Sequence, residues 1–289
     1  MPCTLCPRAC GADRENAPGF CGARSIPLVA RAALHFGEEP CFGSPVGAVF
    51  FSGCALKCVF CQNRAITNGK RGKEVSVTRL SEIYLELQDQ GASALDLVTG
   101  SHFAPAIAES LNLVKNKLTI PVIWNCSGYE SPEILALLRG KIDIYLPDFK
   151  FGTSEFSVRY ASAPDYPEIA LNAIKLMYAS AGDPAYDQTG KLLSGVAVRH
   201  LVLPGGVEDS LAVLERLHRA FPDKRAILLS LMRQYTPVGK QTPPLNRRVT
   251  TLEYEKVLCA AREYGFSGFS QDRSSATSAA IPAFDNTGV

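Results

Sequence analysis

From residue 46 onward, six short apolar runs alternate with stretches of helical periodicity, and this alternation narrows the fold further than any other feature. The runs are Val46–Ser52, Ala94–Thr99, Ile120–Asn125, Ile142–Leu146, Val196–Leu203 and Ala226–Leu231. Most are continuous rather than alternating with polar residues, the pattern of parallel strands covered on both faces. Helices are predicted over Ser81–Gln90, Pro105–Lys115, Pro132–Arg139, Tyr166–Ala179, Ser210–Phe221 and Leu252–Tyr264. Ser131, Asp165, Asp209 and Thr251 stand near their starts, as N-caps should. Strand–helix units in series imply a parallel sheet with right-handed crossovers. Six of them predict an α/β fold, a partial (β/α)6 TIM-type barrel. A doubly wound open sheet is the alternative, because periodicity does not fix strand order.

Residues 1–45 differ: they are Cys-rich, carry Pro and Gly, and lack periodicity. They read as a metal-stapled extension, too short to hold a core unaided. The barrel is expected over 46–272, and the Ser- and Ala-rich 273–289 is expected to be a loose tail or a lid. The net charge of +2, from 30 Lys+Arg against 28 Asp+Glu, gives no electrostatic footprint for nucleic acid. The densest basic stretch, Arg64 to Lys73, reads as a solvated loop. No apolar run is long enough to span a bilayer, so no membrane association is expected. The opening MPCTLC lacks the basic and apolar regions of a secretory signal, so a cytoplasmic location with reduced thiols is expected.

Disulfides therefore do not account for ten cysteines, eight of which fall within the first 61 residues. Cys126 and Cys259 stand apart and read as small buried hydrophobes. The sharpest signal is Ser52-Gly-Cys54-Ala-Leu-Lys-Cys58-Val-Phe-Cys61-Gln-Asn63, directly after the first run. Thiolates so spaced can hold three corners of an iron–sulfur cubane, whose usual complement is four. One iron would then stay open to a small molecule, as the open position of a catalytic metal does. Zinc sites usually pair C-x2-C with a second distant pair, which this run does not match.

The C-x3-C-x2-C loop, with an aromatic before its last cysteine, resembles that of radical S-adenosylmethionine (radical SAM) enzymes, and within them the pyruvate formate-lyase activating enzyme-like branch. The resemblance extends over nearly the whole chain, through Cys3-x2-Cys6-x3-Cys10-Gly11, Gly19-Phe-Cys21-Gly22, His35-Phe-Gly-Glu38-Glu39-Pro40, FFSGCALKCVFCQN, LVTGSHF, IWNCSGYE, DIYLPDFKF, VRHLVLPGG and LMRQYTP. It implies a [4Fe–4S] cluster on Cys54, Cys58 and Cys61, with SAM on the open iron and a 5′-deoxyadenosyl radical that abstracts hydrogen. It further implies a glycyl radical enzyme as the partner protein, with another macromolecule or a small metabolite as the alternative substrate, and a flavodoxin- or ferredoxin-type electron donor.

Polar residues gather at the C-terminal ends of the predicted strands, where such barrels carry their sites. Related enzymes bind the SAM amine on the segment ending strand two, here Thr99, Gly100 and Ser101, although the family's frequent Gly-Gly-Glu is absent. Lys150 or Arg199 would meet the SAM carboxylate, and Asn125, Ser127 or Asp148 the ribose. A simple surface ion pair is the competing reading of Asp148 and Lys150. His102, Gln234 and Tyr235 are candidates on the substrate side. His35 with Glu38 and Glu39 either lines the site or joins the extension to it. His200 competes between a site role and a core histidine, and His218 reads as an exposed helix residue. Cys3, Cys6, Cys10 and Cys21 make a complete four-thiolate set for a second [4Fe–4S] cluster or zinc, with Cys41 either an alternative ligand or a buried thiol. Two readings from other classes stand beside the enzyme: a non-catalytic iron–sulfur electron carrier, and a zinc-binding nucleic-acid module, which the charge balance disfavours.

Overall fold

The computed structural model of the chain describes residues 2–272, 274 and 282–289. In chain order its elements are β1 Leu28–His35, β2 Val46–Phe51, β3 Lys73–Glu74, α1 Val77–Asp89, β4 Leu95–Val98, α2 Ala104–Val114, β5 Val122–Cys126, α3 Pro132–Leu138, β6 Ile144–Pro147, α4 Ser154–Ala161, α5 Tyr166–Ala181, β7 Ala185–Tyr186, β8 Leu192–Leu201, α6 Val207–Ala220, β9 Leu228–Met232, α7 Thr251–Glu263 and β10 Gly268–Ser270. One curved sheet runs β10-β9-β8-β6-β5-β4-β2-β1-β3, with β7 paired to β8. From β2 to β10 along that order all neighbours are parallel. This is the expected α/β fold, a partial TIM-type barrel, and every one of the six predicted strands is present.

The strands build two faces by alternation. Val49, Phe51, Leu97, Trp124, Tyr145, Val198 and Leu231 pack outward against the helices. Ala48, Phe50, Val98, Ile123, Ile144, Leu146 and Ala197 face the other way, into the barrel. Helix α3 begins as its sequence predicts, with the Ser131 hydroxyl accepting from Ile134 N–H. Two other caps shift, and Asp165 keeps the N-cap position of α5. Thr250, not Thr251, caps α7 in a reciprocal box with Glu253. Asp209 lies inside α6, where its carboxylate accepts from the N–H groups of Gly152 and Thr153. Asp165 makes no cap bond and accepts instead from the Tyr129 hydroxyl at 2.8 Å.

Three further differences follow from tertiary pairing. The expected boundary at residue 45 falls within the sheet, because β1 pairs antiparallel with β2 over His35↔Val46 to Val29↔Phe51. A seventh parallel strand, β10, closes the series beside β9. The tail is docked where it is described: Ala32 N–H donates to Thr287 O at 2.9 Å, and Phe284 packs edge-on against Phe50. The rest of the expected tail or lid, Arg273 and residues 275–281, lies outside the described residues. Among the described residues no helix is long and apolar enough to cross a membrane.

Candidate active site

The loop after β2 carries Cys54, Cys58 and Cys61 into the mouth of the barrel, where all three line a cavity of about 230 Å³. Two features fix its course. Gly53 sits at φ 101°, and a Cβ there would stand 2.8 Å from His102 Nε2 and 2.9 Å from the Cys21 carbonyl, so only glycine lets the backbone pass. The N–H of Cys54 then donates to that Cys21 carbonyl at 3.0 Å. Leu56 N–H reaches back to Cys54 Sγ at 3.4 Å, and Asn63 N–H does the same for Cys61.

Burial pushes the Cys58 and Cys61 thiols up, the latter to about 12, and the neighbouring cysteines reinforce the shift. Three thiols crowded in one buried pocket become thiolates only when a cation joins them, which is how metal ligation couples to deprotonation. Among the described residues no three His, Cys, Asp or Glu side chains stand as a finished ligand set. The donor set itself, three thiols on one loop with backbone N–H groups aimed at two sulfurs, fits an iron–sulfur cluster with one iron left unligated by the protein.

Strand ends supply the rest of the lining. Thr99, Asn125, Ser127, Asp148, Lys150, Arg199 and Gln234 all reach the cavity, as does Cys126. Thr99 holds φ 60°, a left-handed conformation that costs a β-branched residue about 1–3 kcal/mol and clusters at functional positions. Its N–H is tied to Asn125 O at 2.8 Å. The β5 and β6 ends are clamped by Tyr166, whose hydroxyl accepts from Lys150 N–H at 2.8 Å and faces the carbonyls of Ser127 and Asp148 at 2.8 and 2.9 Å. Gly128, at φ 74°, allows that approach, since a Cβ would lie 2.2 Å from Asp148 O.

The two candidate cations differ in their commitments. Arg199 is taken up by Glu38 and Glu39, with Nε 2.7 Å from Glu39 Oε1. Burial and the Glu38 charge push the adjacent Asp96 carboxyl well above the usual range. Lys150 pairs with Asp148 at 2.5 Å and carries its charge beside Cys58 and Cys61; against a desolvation that would lower it, Asp148 and the two cysteines hold its pKa up. His35 completes the acidic side, 3.8 Å from Glu38.

Several expected site residues face elsewhere. His102 is buried behind the cysteine loop, its Nε2 2.8 Å from Ser52 O, and burial lowers its pKa to about 4. Tyr235 donates to Leu245 O at 2.6 Å and packs under Phe60. Ser101 bonds Glu130 away from the cavity, and Gly100 lies against Trp124. His200 is a core histidine, between Phe149 O at 2.7 Å and Ser210 Oγ at 2.9 Å. Cys41 is a plain buried thiol, Cys259 is exposed rather than buried, and His218 stacks on Tyr264 rather than pointing to solvent. Tyr166, Glu130, Arg8 and Arg14 were missed, since each acts on backbone carbonyls or distant side chains that no local motif marks. Arg8 donates to Ala55 O and Ala161 O at 2.8 Å, and Arg14 to His102 O at 2.6 Å, holding the extension against the cysteine loop.

With this geometry in view, comparison with known proteins is specific. The profile of the Radical SAM superfamily matches residues 48–205, more than half of the chain. An uncharacterised protein of Methanocaldococcus jannaschii, MJ0674, is 30% identical over 274 residues, 91% of this chain and 75% of that protein. Among solved structures, a radical SAM methyltransferase from Sphaerobacter thermophilus aligns with TM-score 0.53 at 14% identity, over 78% of this chain and 66% of that one. SuiB of Streptococcus suis aligns with TM-score 0.47 at 15% identity, over 76% of this chain and 47% of its own. The chain thus spans about two thirds of the methyltransferase and less than half of SuiB.

Proposed function

The chain belongs to the radical SAM superfamily, and from that premise we propose that its cavity cleaves S-adenosylmethionine to abstract a hydrogen atom from a partner molecule. The observation that carries this reading is the convergence of Cys54, Cys58 and Cys61 with seven polar strand-end residues on one cavity. Bound there, a [4Fe–4S] cluster charged by an external electron donor would pass one electron to the SAM sulfonium, leaving methionine and a 5′-deoxyadenosyl radical for the substrate. The chain's own residues position and exclude. Cys54, Cys58 and Cys61 hold the cluster. Lys150, beside the cysteines, offers the cation for the SAM carboxylate, since Arg199 is committed to Glu38 and Glu39. Thr99 faces the amine, and Asn125, Ser127 and Asp148 offer the ribose hydrogen-bond partners.

The finer reading is that the hydrogen comes from a glycine of a glycyl radical enzyme. The sequence blocks shared with the pyruvate formate-lyase activating enzyme-like branch support it. So does the cavity rim, where Phe36 is 74% exposed beside the lining residues His35 and Gly37, an apolar contact for a partner chain. Exposed Arg64, Lys70, Arg71 and Lys73 follow the cysteine loop directly and suit an acidic flavodoxin- or ferredoxin-type donor. The test is anaerobic: reconstitute with iron and sulfide, reduce with dithionite, add SAM and quantify 5′-deoxyadenosine. Turnover in the wild type and none in Cys58→Ala supports the proposal; a cluster-loaded wild type that leaves SAM intact overturns it in favour of an electron carrier.

A further inference from the structure

We propose that Cys3, Cys6, Cys10 and Cys21 form a closed four-thiolate metal centre that staples the N-terminal segment to the back of the SAM-cleaving loop. This inference does not rest on the SAM chemistry, and three independent observations carry it.

The first is the backbone around the sulfurs. Cys6, Cys10 and Cys21 each meet the backbone two residues on, the N–H of Arg8, Ala12 and Ala23 respectively, and the Ala23 carbonyl stands 3.8 Å from Cys21 Sγ. Cys10 also takes the N–H of Phe20 and the thiol of Cys3. N–H groups aimed at sulfur spread the charge of a coordinated thiolate and orient it, as partners outside a metal's ligands commonly do. The same contact, residue to residue plus two, holds Cys54 and Cys61 in the barrel loop.

The second is the shortage of core. Before β1 the segment has no helix or strand, and Cys6, Cys21, Ala23 and Pro27 are its buried side chains among the described residues. Two of these four are proposed ligands. A segment that buries so little needs a staple to be ordered, and all four cysteines are free rather than disulfide-bonded.

The third is where the segment docks. Cys3 is closed into a loop by Cys3 N–H to Ala12 O and Gly11 N–H to Cys3 O, both 3.0 Å. Cys21 O then receives the N–H of Cys54 at 3.0 Å, and Ser131 Oγ donates to Leu5 O at 2.8 Å. Order imposed at the four thiols therefore reaches Cys54 through one peptide hydrogen bond. Four protein ligands leave no open position, which makes this centre a holder or an electron relay and not a place where substrate binds.

Zinc and an iron–sulfur cubane share this chemistry, and the test separates them. The full chain carrying Cys54→Ala, Cys58→Ala and Cys61→Ala is purified anaerobically, and its zinc, iron and sulfide are counted. We expect about one zinc, or about four irons with matching sulfide, per chain. Adding Cys3→Ser and Cys10→Ser, the two less buried ligands, should lower that content at least tenfold. Titration of the metal-stripped triple variant with Co²⁺ gives a readout that needs no second variant: a thiolate-to-cobalt charge-transfer band of tetrahedral four-thiolate strength. A triple variant that retains neither metal and gives no such band overturns the proposal, as does metal content unchanged by removal of Cys3 and Cys10. Failure of SAM cleavage in the wild type touches neither result.

Discussion

Two cysteine loops lie in backbone contact in this protein, yet only one of them opens on the barrel cavity. Cys54, Cys58 and Cys61 line that cavity beside Lys150 and Asp148, while Cys3, Cys6, Cys10 and Cys21 stay within a segment that makes no part of its wall. The difference is one of ligand count and access. Three thiols beside a roomy cavity would leave a coordination position and a place for what fills it, whereas four thiols around one metal would leave neither. On this proposal, chemistry would belong to the incomplete set and support to the complete one.

The largest expected effect separates them outright. Cys58→Ala should reduce 5′-deoxyadenosine formation at least a hundredfold while leaving the metal bound by the N-terminal four cysteines in place; equal loss of both would show that the loops form one site. Next comes Glu130, at the seam between the segment and the barrel, buried and bonded to Ser101 with Oε2 unpartnered. Burial raises its pKa from 4.5 to about 7. Between those values the folded protein keeps a proton that the unfolded chain releases, so stability is full below pH 4.5 and falls as pH rises through 7, by about 3 kcal/mol at most. Glu130→Gln should flatten that slope and be the more stable protein at pH 8, read from urea midpoints at pH 5 and 8; an unchanged slope would place the titration elsewhere.

A smaller effect is expected of Arg8→Ala, which removes the charged bonds to Ala55 O, Ala161 O and Ser162 O. A loss of about 2 kcal/mol should appear in denaturant unfolding, together with faster loss of iron from the Cys54 loop under chelation. Unfolding and iron retention both like wild type would mean that the segment does not brace the loop. The smallest is Thr250→Ala in the capping box of α7, remote from both loops. It should cost about 1 kcal/mol and leave metal content and SAM cleavage alone; a change in either would point to general destabilisation behind the other variants too.

What the sequence disclosed and what it withheld follow the same physical line. The six barrel strands were legible because strands covered on both faces are continuous apolar runs. The β1 strand, LVARAALH, was not, because it lies near the end of the sheet and gives Arg31 to Asp285 on the docked C-terminus. The loop of Cys54, Cys58 and Cys61 was legible as one unit because its three cysteines are local, and they do line one cavity. Arg199 looked available for SAM because its partners Glu38 and Glu39 lie about 160 positions away in sequence. His102 looked like a site residue from its loop, yet its ring turns to a backbone carbonyl, which no side-chain pattern records. Arg8 and Arg14 escaped notice for that reason too.

The most direct measurement is the electron paramagnetic resonance spectrum of the reduced cluster, recorded with and without SAM on a chain whose Cys3, Cys6, Cys10 and Cys21 are replaced by Ser. One cluster is then expected, on Cys54, Cys58 and Cys61. If the cavity presents an iron that the protein leaves open, SAM will shift the g-values of that signal; a spectrum that SAM leaves unchanged would contradict it.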